Sequence, residues 1–227
     1  MRLDKFFSDC SVFTRSEFSK VVKAKRVKVN GVLVMKPEYN IDENTDIVTL
    51  DDKIITYEKY IYCIFHKPAG YVTATYDKRD LTIYELLPEY FLRKKVMPVG
   101  RLDKDTEGLL VLTNDGDLCH KLTSPKYEVE KEYYFVLDEE LGEKDRKKLE
   151  LGKVSLRDGF EPKPCKINMI NDVSGNIIIT EGKYHQIKRM FGACQNKIIY
   201  LKRVREGKLT IDNLEKGSFK LIKKEDF

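Results

Sequence analysis

Residues Gly100 to Gly116 read GRLDKDTEGLLVLTNDG. Arg101 and Asp103 sit two apart behind a glycine, and a second glycine, Gly108, opens the apolar run Leu109 to Leu112. The run ends in the turn signal Asn114-Asp115-Gly116. This pattern predicts a buried strand over Leu109 to Thr113. Asp103 then falls in the irregular segment that feeds the strand, where a rigid sheet can hold a charged side chain against a cleft. The opening Asp103, Asp105, Glu107, Gly108 imitates a calcium loop, but the twelfth position from Asp103 is Asn114, where a bidentate Glu is required. A bare R-x-D pair would most often be a local salt bridge, so its meaning depends on the rest of the chain.

Working outward, Val96 to Val99 reads as a strand delivering Gly100, Thr82 to Leu87 as a short helix, and Tyr60 to His66 as a strand followed by the turn Lys67-Pro68-Ala69-Gly70. Downstream, Lys131 to Leu137 alternates as a strand that puts Lys131 and Tyr133 on one face, a cation beside an aromatic. That pairing suits a base stacked next to a phosphate, although on its own it is more often an ordinary strand face. Glu143 to Leu151 reads as a helix, Asn176 to Thr180 as a strand, Tyr184 to Cys194 as a helix, and residues 198 to 222 as two or three closing strands. Lys183, His185, Lys188 and Arg189 crowd the strand-to-helix junction near 184 with no acid after Glu181. Such a cation cluster suits phosphates or a held carboxylate. Strands outnumber helices, so the large domain is expected to be α+β with a mainly antiparallel sheet.

The N-terminal stretch forms a separate small unit. Thr14-Arg15-Ser16-Glu17 is a capping box, with Phe13 and Phe18 placed as a hydrophobic staple. Phe18, Val21 and Val22 give helical spacing, and Lys20 and Lys23 fall on the other side. Val27 to Val34 follows as a hairpin with Asn30-Gly31 as its two-residue turn. Between Pro37 and Tyr57 six acids face one lysine, and a linker is placed near residues 52 to 59. The expected domains are therefore 1–57 and 58–227.

Charge distribution says more than the formal net charge of +5. Met1 to Lys36 holds nine Lys/Arg against three acids, and Gly182 to Arg205 holds seven Lys/Arg and no acid. The two blocks together carry +13 and leave −8 for the remainder, a pattern that points to a polyanion partner. Five cysteines without a C-x-x-C pair argue against a disulfide framework and a zinc site, and suggest reduced thiols in a cytoplasmic protein. The longest apolar run, Tyr60 to Phe65, is too short to span a bilayer, and no signal peptide is evident.

GRLDKDTEGLLVLTNDG, EKEYYFV (130–136) and EGKYHQIKRMF (181–191), in this order and at this separation, resemble the three motifs of the RsuA/RluB-type ribosomal RNA pseudouridine synthases. HKPAGYV (66–72) resembles that family's N-K-P-x-G-Y-V stretch with His66 in place of Asn, and residues 1 to about 57 resemble its S4 (αL-type) RNA-binding domain. YHQIKRMF and REGKLTIDNL (205–214) are more similar to the small-subunit branch than to the large-subunit one.

The resemblance implies isomerisation of a uridine in 16S ribosomal RNA by an S4 domain followed by a catalytic domain built on a mainly antiparallel, mixed sheet. It implies Asp103 as nucleophile, Tyr133 as the residue stacking on the target base, and Lys188 as the basic partner that orients the aspartate. Arg101 is expected to hold the nucleotide. Lys131, Lys183, His185 and Arg189, with Lys5, Arg15, Lys20, Lys23 and Arg26 in the S4 domain, complete the expected RNA contacts. The reaction needs no cofactor or metal. The implied partner is small-subunit ribosomal RNA, expected to be met in a partly assembled ribonucleoprotein by a monomer with no membrane association. Two positions depart from the family pattern. Lys25 stands where Gly usually precedes the hairpin, which would alter the local turn, and His66 would alter a hydrogen bond near the cleft.

Overall fold

The computed structural model describes residues 1–10 and 13–227. Contacts divide the chain into one unit of residues 1–61 with 90–95 and a second of residues 62–89 with 96–227.

The first unit contains α1 (Leu3–Asp9), α2 (Arg15–Lys23) and a four-stranded antiparallel sheet of β1 (Val27–Val29), β2 (Val32–Leu33), β3 (Val48–Leu50) and β4 (Lys53–Ile54), ordered β2-β1-β3-β4. The capping box forms as its sequence dictates. The Glu17 N–H donates to Thr14 Oγ1 at 3.3 Å, and the Thr14 N–H donates to the Glu17 carboxylate at 2.8 Å. Phe18, Val21 and Val22 are buried, Phe18 stacks on Phe7 at 4.5 Å, and Phe13 packs against the same core. Asn30 and Gly31 both take positive φ, the geometry of a two-residue hairpin turn. Lys25 also adopts a left-handed φ of +60° just past α2. The turn usually made by glycine is thus kept, at a cost of about 1–2 kcal/mol for a residue with a Cβ. α1 has no counterpart in the sequence reading.

In the second unit the strands are β5 (Tyr62–Lys67), β6 (Met97–Pro98), β7 (Glu107–Thr113), β8 (Lys131–Leu137), β9 (Lys166–Asn171), β10 (Ser174–Ile179), β11 (Ile198–Glu206), β12 (Leu209–Thr210) and β13 (Phe219–Ile222). Among the described residues they form a nine-stranded mixed sheet ordered β13-β5-β7-β11-β8-β10-β9, with β6 on β7 and β12 on β11. Within this sheet, among the described residues, only β7 and β11 pair in parallel, so the expected α+β fold with a mainly antiparallel sheet is what the protein adopts. The helices are α3 (Glu89–Arg93, most of it grouped with the first unit), α4 (Gly116–Thr123), α5 (Glu143–Glu150) and α6 (Gln186–Ala193).

β7 is buried along its whole length, as a strand flanked by β5 and β11 must be when both sheet faces are covered. Leu109 and Val111 pack with Leu118 and Leu122 of α4. The turn signal Asn114-Asp115-Gly116 leads straight into α4, because the Asp115 carboxylate accepts from the Leu118 N–H at 3.2 Å and caps the helix. Two local readings differ from the structure. Residues 83–86 form a 3-10 turn, and α6 begins at Gln186 because His185 is left-handed.

Gly108 is required by the parallel pairing. It lies opposite Arg203 with φ +112°, and a Cβ placed there would meet the Arg203 backbone, its nitrogen at 2.6 Å and its carbonyl oxygen closer still. Gly108→Ala should therefore destabilise the second unit by about 3 kcal/mol, through backbone strain and overpacking together. Urea unfolding checks this, and an unchanged midpoint would contradict the close approach.

Candidate active site

The sheet order β7-β11-β8 decides which residues meet. β7 is fed by the loop carrying Arg101 and Asp103, and β8 carries Tyr133, which lies opposite Arg203 of β11. α6 and the turn before it follow β10. Together these elements line an open cleft of about 420 Å³ whose walls include Arg101, Asp103, Tyr133, Lys183, His185 and Lys188. Four of them (Arg101, Lys183, His185, Lys188) are cationic or can become so, which suits an anionic nucleic-acid substrate.

Lys188 is the junction of the site. Its ammonium lies 3.0 Å from Asp103 Oδ2 and 2.5 Å from Asp105 Oδ1. Burial works against the Lys188 charge, but the hydrogen bonds its ammonium donates to Asp105 and Asp103 outweigh it and hold its pKa above the ordinary lysine value. Burial likewise opposes the Asp105 charge, and the Lys188 contact overrides it and holds the Asp105 pKa below normal. On the other side of Asp103, His185 Nε2 lies 3.3 Å from Oδ1. The carboxylate is thus gripped at both oxygens while its side chain remains about a quarter exposed, a geometry that can present it to a ligand.

The loop itself is held from beneath. Lys67, fully buried at the end of β5, directs its Nζ to the carbonyl oxygens of Pro68, Asp103, Lys104 and Thr106 at 2.8 to 3.2 Å. Burial pulls its pKa down to about 8, against the pull of the Asp105, Asp103 and Glu107 carboxylates. The loop backbone is therefore fixed independently of the Asp103 side chain. His66, next to it, points elsewhere: its Nδ1 is 2.6 Å from the Leu214 carbonyl, which makes Nδ1 the protonated nitrogen. The hydrogen bond altered by His66 therefore runs to the closing segment and not to a cleft-lining residue.

Tyr133 is 7% exposed, and burial raises its pKa, so the phenol is neutral at ordinary pH. The guanidinium of Arg203 lies 6.0 Å from the Tyr133 ring centroid. Arg203 is itself buried, paired with buried Glu206 at 3.2 Å, and its Nε donates to the Leu109 carbonyl at 2.7 Å. It ties the tyrosine's surroundings to β7.

The remaining expected contacts are distributed differently. Lys131 is half-buried with its ammonium on the Val129 carbonyl, outside the cleft lining. Arg189 also lies outside the lining, bonded to the Tyr184 carbonyl at 3.1 Å and paired with Asp158. In the first unit Lys5, Arg15, Lys20 and Lys23 are exposed, and Arg26 pairs with Asp51. Sequence reasoning set aside Asp105 and missed Lys67 and Arg203. The D-x-D spacing was a usable signal for Asp105, whereas a buried lysine or arginine looks like any surface cation in a sequence.

Comparison with known proteins places the whole chain in a family. Residues 61–193 match the family model for RNA pseudouridylate synthase, and residues 1–47 match the S4 domain. An uncharacterized RNA pseudouridine synthase of Bacillus subtilis is 39% identical, covering 100% of this chain and 96% of its own. The ribosomal small subunit pseudouridine synthase A of Haemophilus influenzae is 37% identical, covering 97% of this chain and 95% of its own. A solved structure described as a pseudouridylate synthase superposes with a TM-score of 0.69 at 35% identity, covering 100% of this chain and 97% of that one. A catalytic-domain match over more than half the chain, and relatives that run its full length, make it a member of the RNA pseudouridylate synthase family with an S4 domain at its N-terminus.

Proposed function

We propose that this enzyme isomerises a specific uridine of 16S ribosomal RNA, with Asp103 as nucleophile. The observation that carries the mechanism is the Asp103 carboxylate held between Lys188 and His185 at a cleft also lined by Tyr133. The small-subunit assignment is supported by the similarity to synthases named for that subunit and by the YHQIKRMF and REGKLTIDNL segments.

In the proposed reaction the uridine leaves its stack and enters the cleft, where the N1–C1′ bond breaks, uracil turns, and C5 bonds to C1′. Asp103 either takes up C1′ in a carboxylate adduct that C5 later displaces, or promotes loss of a ribose proton to give a glycal. Both routes need the same carboxylate, and both end with the C5 proton released and N1 protonated. The substrate supplies every atom of the product. Lys188 keeps the carboxylate aimed, Tyr133 stacks on uracil, and Arg101 holds the nucleotide. Residues 1–57 act as the RNA-docking domain and 58–227 as the catalytic domain, in a cytoplasmic monomer acting on a partly assembled small subunit.

Pseudouridine mapping in both ribosomal RNAs of a strain lacking the protein tests the substrate. One small-subunit pseudouridine should vanish. A small-subunit profile that stays intact while a large-subunit site is lost would move the enzyme to the large-subunit branch, and no change in either would favour an adaptor role. RNA affinity should also fall steeply with salt. Each phosphate neutralised on a single strand adds about −0.7 to the slope of log affinity against log salt, so five contacts predict about 10²-fold loss between about 50 and 200 mM. A flat response, read by filter binding, would exclude the two basic blocks as phosphate contacts.

A further inference from the structure

Tyr184 has no part in the mechanism above, yet it is among the most exposed large side chains of the protein, at 70%. Its ring lies flat on the imidazole of His185, with centroids 3.8 Å apart and planes inclined by 17°. His185 in turn reaches Asp103 at 3.3 Å. From the carboxylate outward the order is therefore Asp103, the His185 ring, the Tyr184 ring, and then solvent. His185 and Lys183 line the cleft and Tyr184 does not, which puts the tyrosine on the rim.

The turn that carries it is braced. His185 takes a left-handed φ of +47°. Arg189 donates to the Tyr184 carbonyl at 3.1 Å and is anchored by Asp158. The Gln186 side chain accepts from the Lys183 N–H at 3.0 Å and donates to the buried Glu181 carboxylate at 2.5 Å. An aromatic ring carried on a braced turn while facing water adds little to the core. It does offer a preorganised flat surface beside an RNA-modifying cleft.

We propose that the outward face of Tyr184 is a stacking subsite for a nucleobase flanking the modified uridine, a deepening of the function proposed above. A uridine that turns into the cleft deprives its neighbour of a stacking partner, and an aromatic ring at the rim replaces it. The subsite accepts any base, because every base has a π face, and it favours a single-stranded or looped target over a continuous duplex. Tyr184 acts on placement of the RNA and not on the reacting atoms.

The test is steady-state pseudouridine formation on small-subunit ribosomal RNA by the full-length wild type and four variants. Tyr184→Ala and Tyr184→Leu should raise KM about tenfold or more, the usual effect of losing one stacked base, with kcat held within about twofold. Tyr184→Phe and Tyr184→Trp should stay near wild type. Wild-type KM in the Ala and Leu variants would overturn the subsite. So would full rescue by Leu, which would mean the ring merely covers His185, or a fall in kcat alone, which would mean that it positions His185 and Asp103. Inactivity of the wild type on small-subunit RNA would instead overturn the substrate assignment, and the same variants compared on large-subunit RNA would then decide the subsite.

Discussion

Replacing Lys188 by methionine is expected to lower pseudouridine formation by on the order of 10² to 10³-fold while leaving RNA affinity within about threefold of wild type. The ammonium stands between two carboxylates, 3.0 Å from Asp103 and 2.5 Å from Asp105. Methionine keeps the length and packing of the side chain and removes the ammonium that contacts both carboxylates. The Asp103 carboxylate then loses its aim and gains the unscreened repulsion of Asp105, so the loss should fall on kcat. The other cations that line the cleft, Arg101 and Lys183, are untouched and should preserve binding. Single-turnover rates and filter binding on the same RNA separate the two quantities. Weakened binding with an unchanged rate at saturation would make Lys188 a phosphate contact instead.

Asp103→Asn should have the larger effect, a loss of on the order of 10³-fold or more, because an amide is nearly isosteric with the carboxylate but is a poor nucleophile and carries no charge. The loop should survive the change. Lys67 Nζ and the Thr106 N–H both bond to the Asp103 backbone carbonyl, not to its side chain. Stability should therefore change by no more than about 1 kcal/mol, the usual range for a partly exposed side chain outside the core. A variant that unfolded would show instead that the carboxylate, and not Lys67, holds the loop.

Features set by neighbouring residues were legible in the sequence. The Thr14–Glu17 box, the Asn30-Gly31 turn and the Leu109 to Leu112 run depend on capping, left-handed turns and apolar continuity, and all appear where expected. Asp115-Gly116 was ambiguous by its nature, since an Asp before a Gly serves a hairpin turn or a helix cap equally well, and the cap won. β9, KINMIN, was missed because it is an edge strand with mostly exposed residues and so lacks the apolar signature of a central one.

The site divides in the same way. That Asp103, Tyr133 and Lys188 belong together followed only from the joint resemblance of three motifs. Periodicity cannot bring residues 103, 133 and 188 to one cleft, because their meeting depends on the order β7-β11-β8 and on the parallel pairing that Gly108 permits. Arg203 was invisible for a further reason, and Lys67 was marked only by its place in the HKPAGYV stretch. Nothing in composition distinguishes a cation buried among carbonyls, or against a glutamate, from one in water. The left-handed His185, which starts α6 two residues late and turns Tyr184 outward, is likewise a tertiary choice held by Arg189 and Gln186.

The most direct measurement is tritium release from 5-tritiated uridine in small-subunit ribosomal RNA, with wild-type and Asp103→Asn proteins assayed side by side. C5 gives up its hydrogen only when it bonds to C1′, so release counts completed isomerisations. Asp103 as nucleophile predicts release approaching one tritium per RNA molecule from the wild type and none above background from the variant over the same time. Near-wild-type release by Asp103→Asn would contradict it.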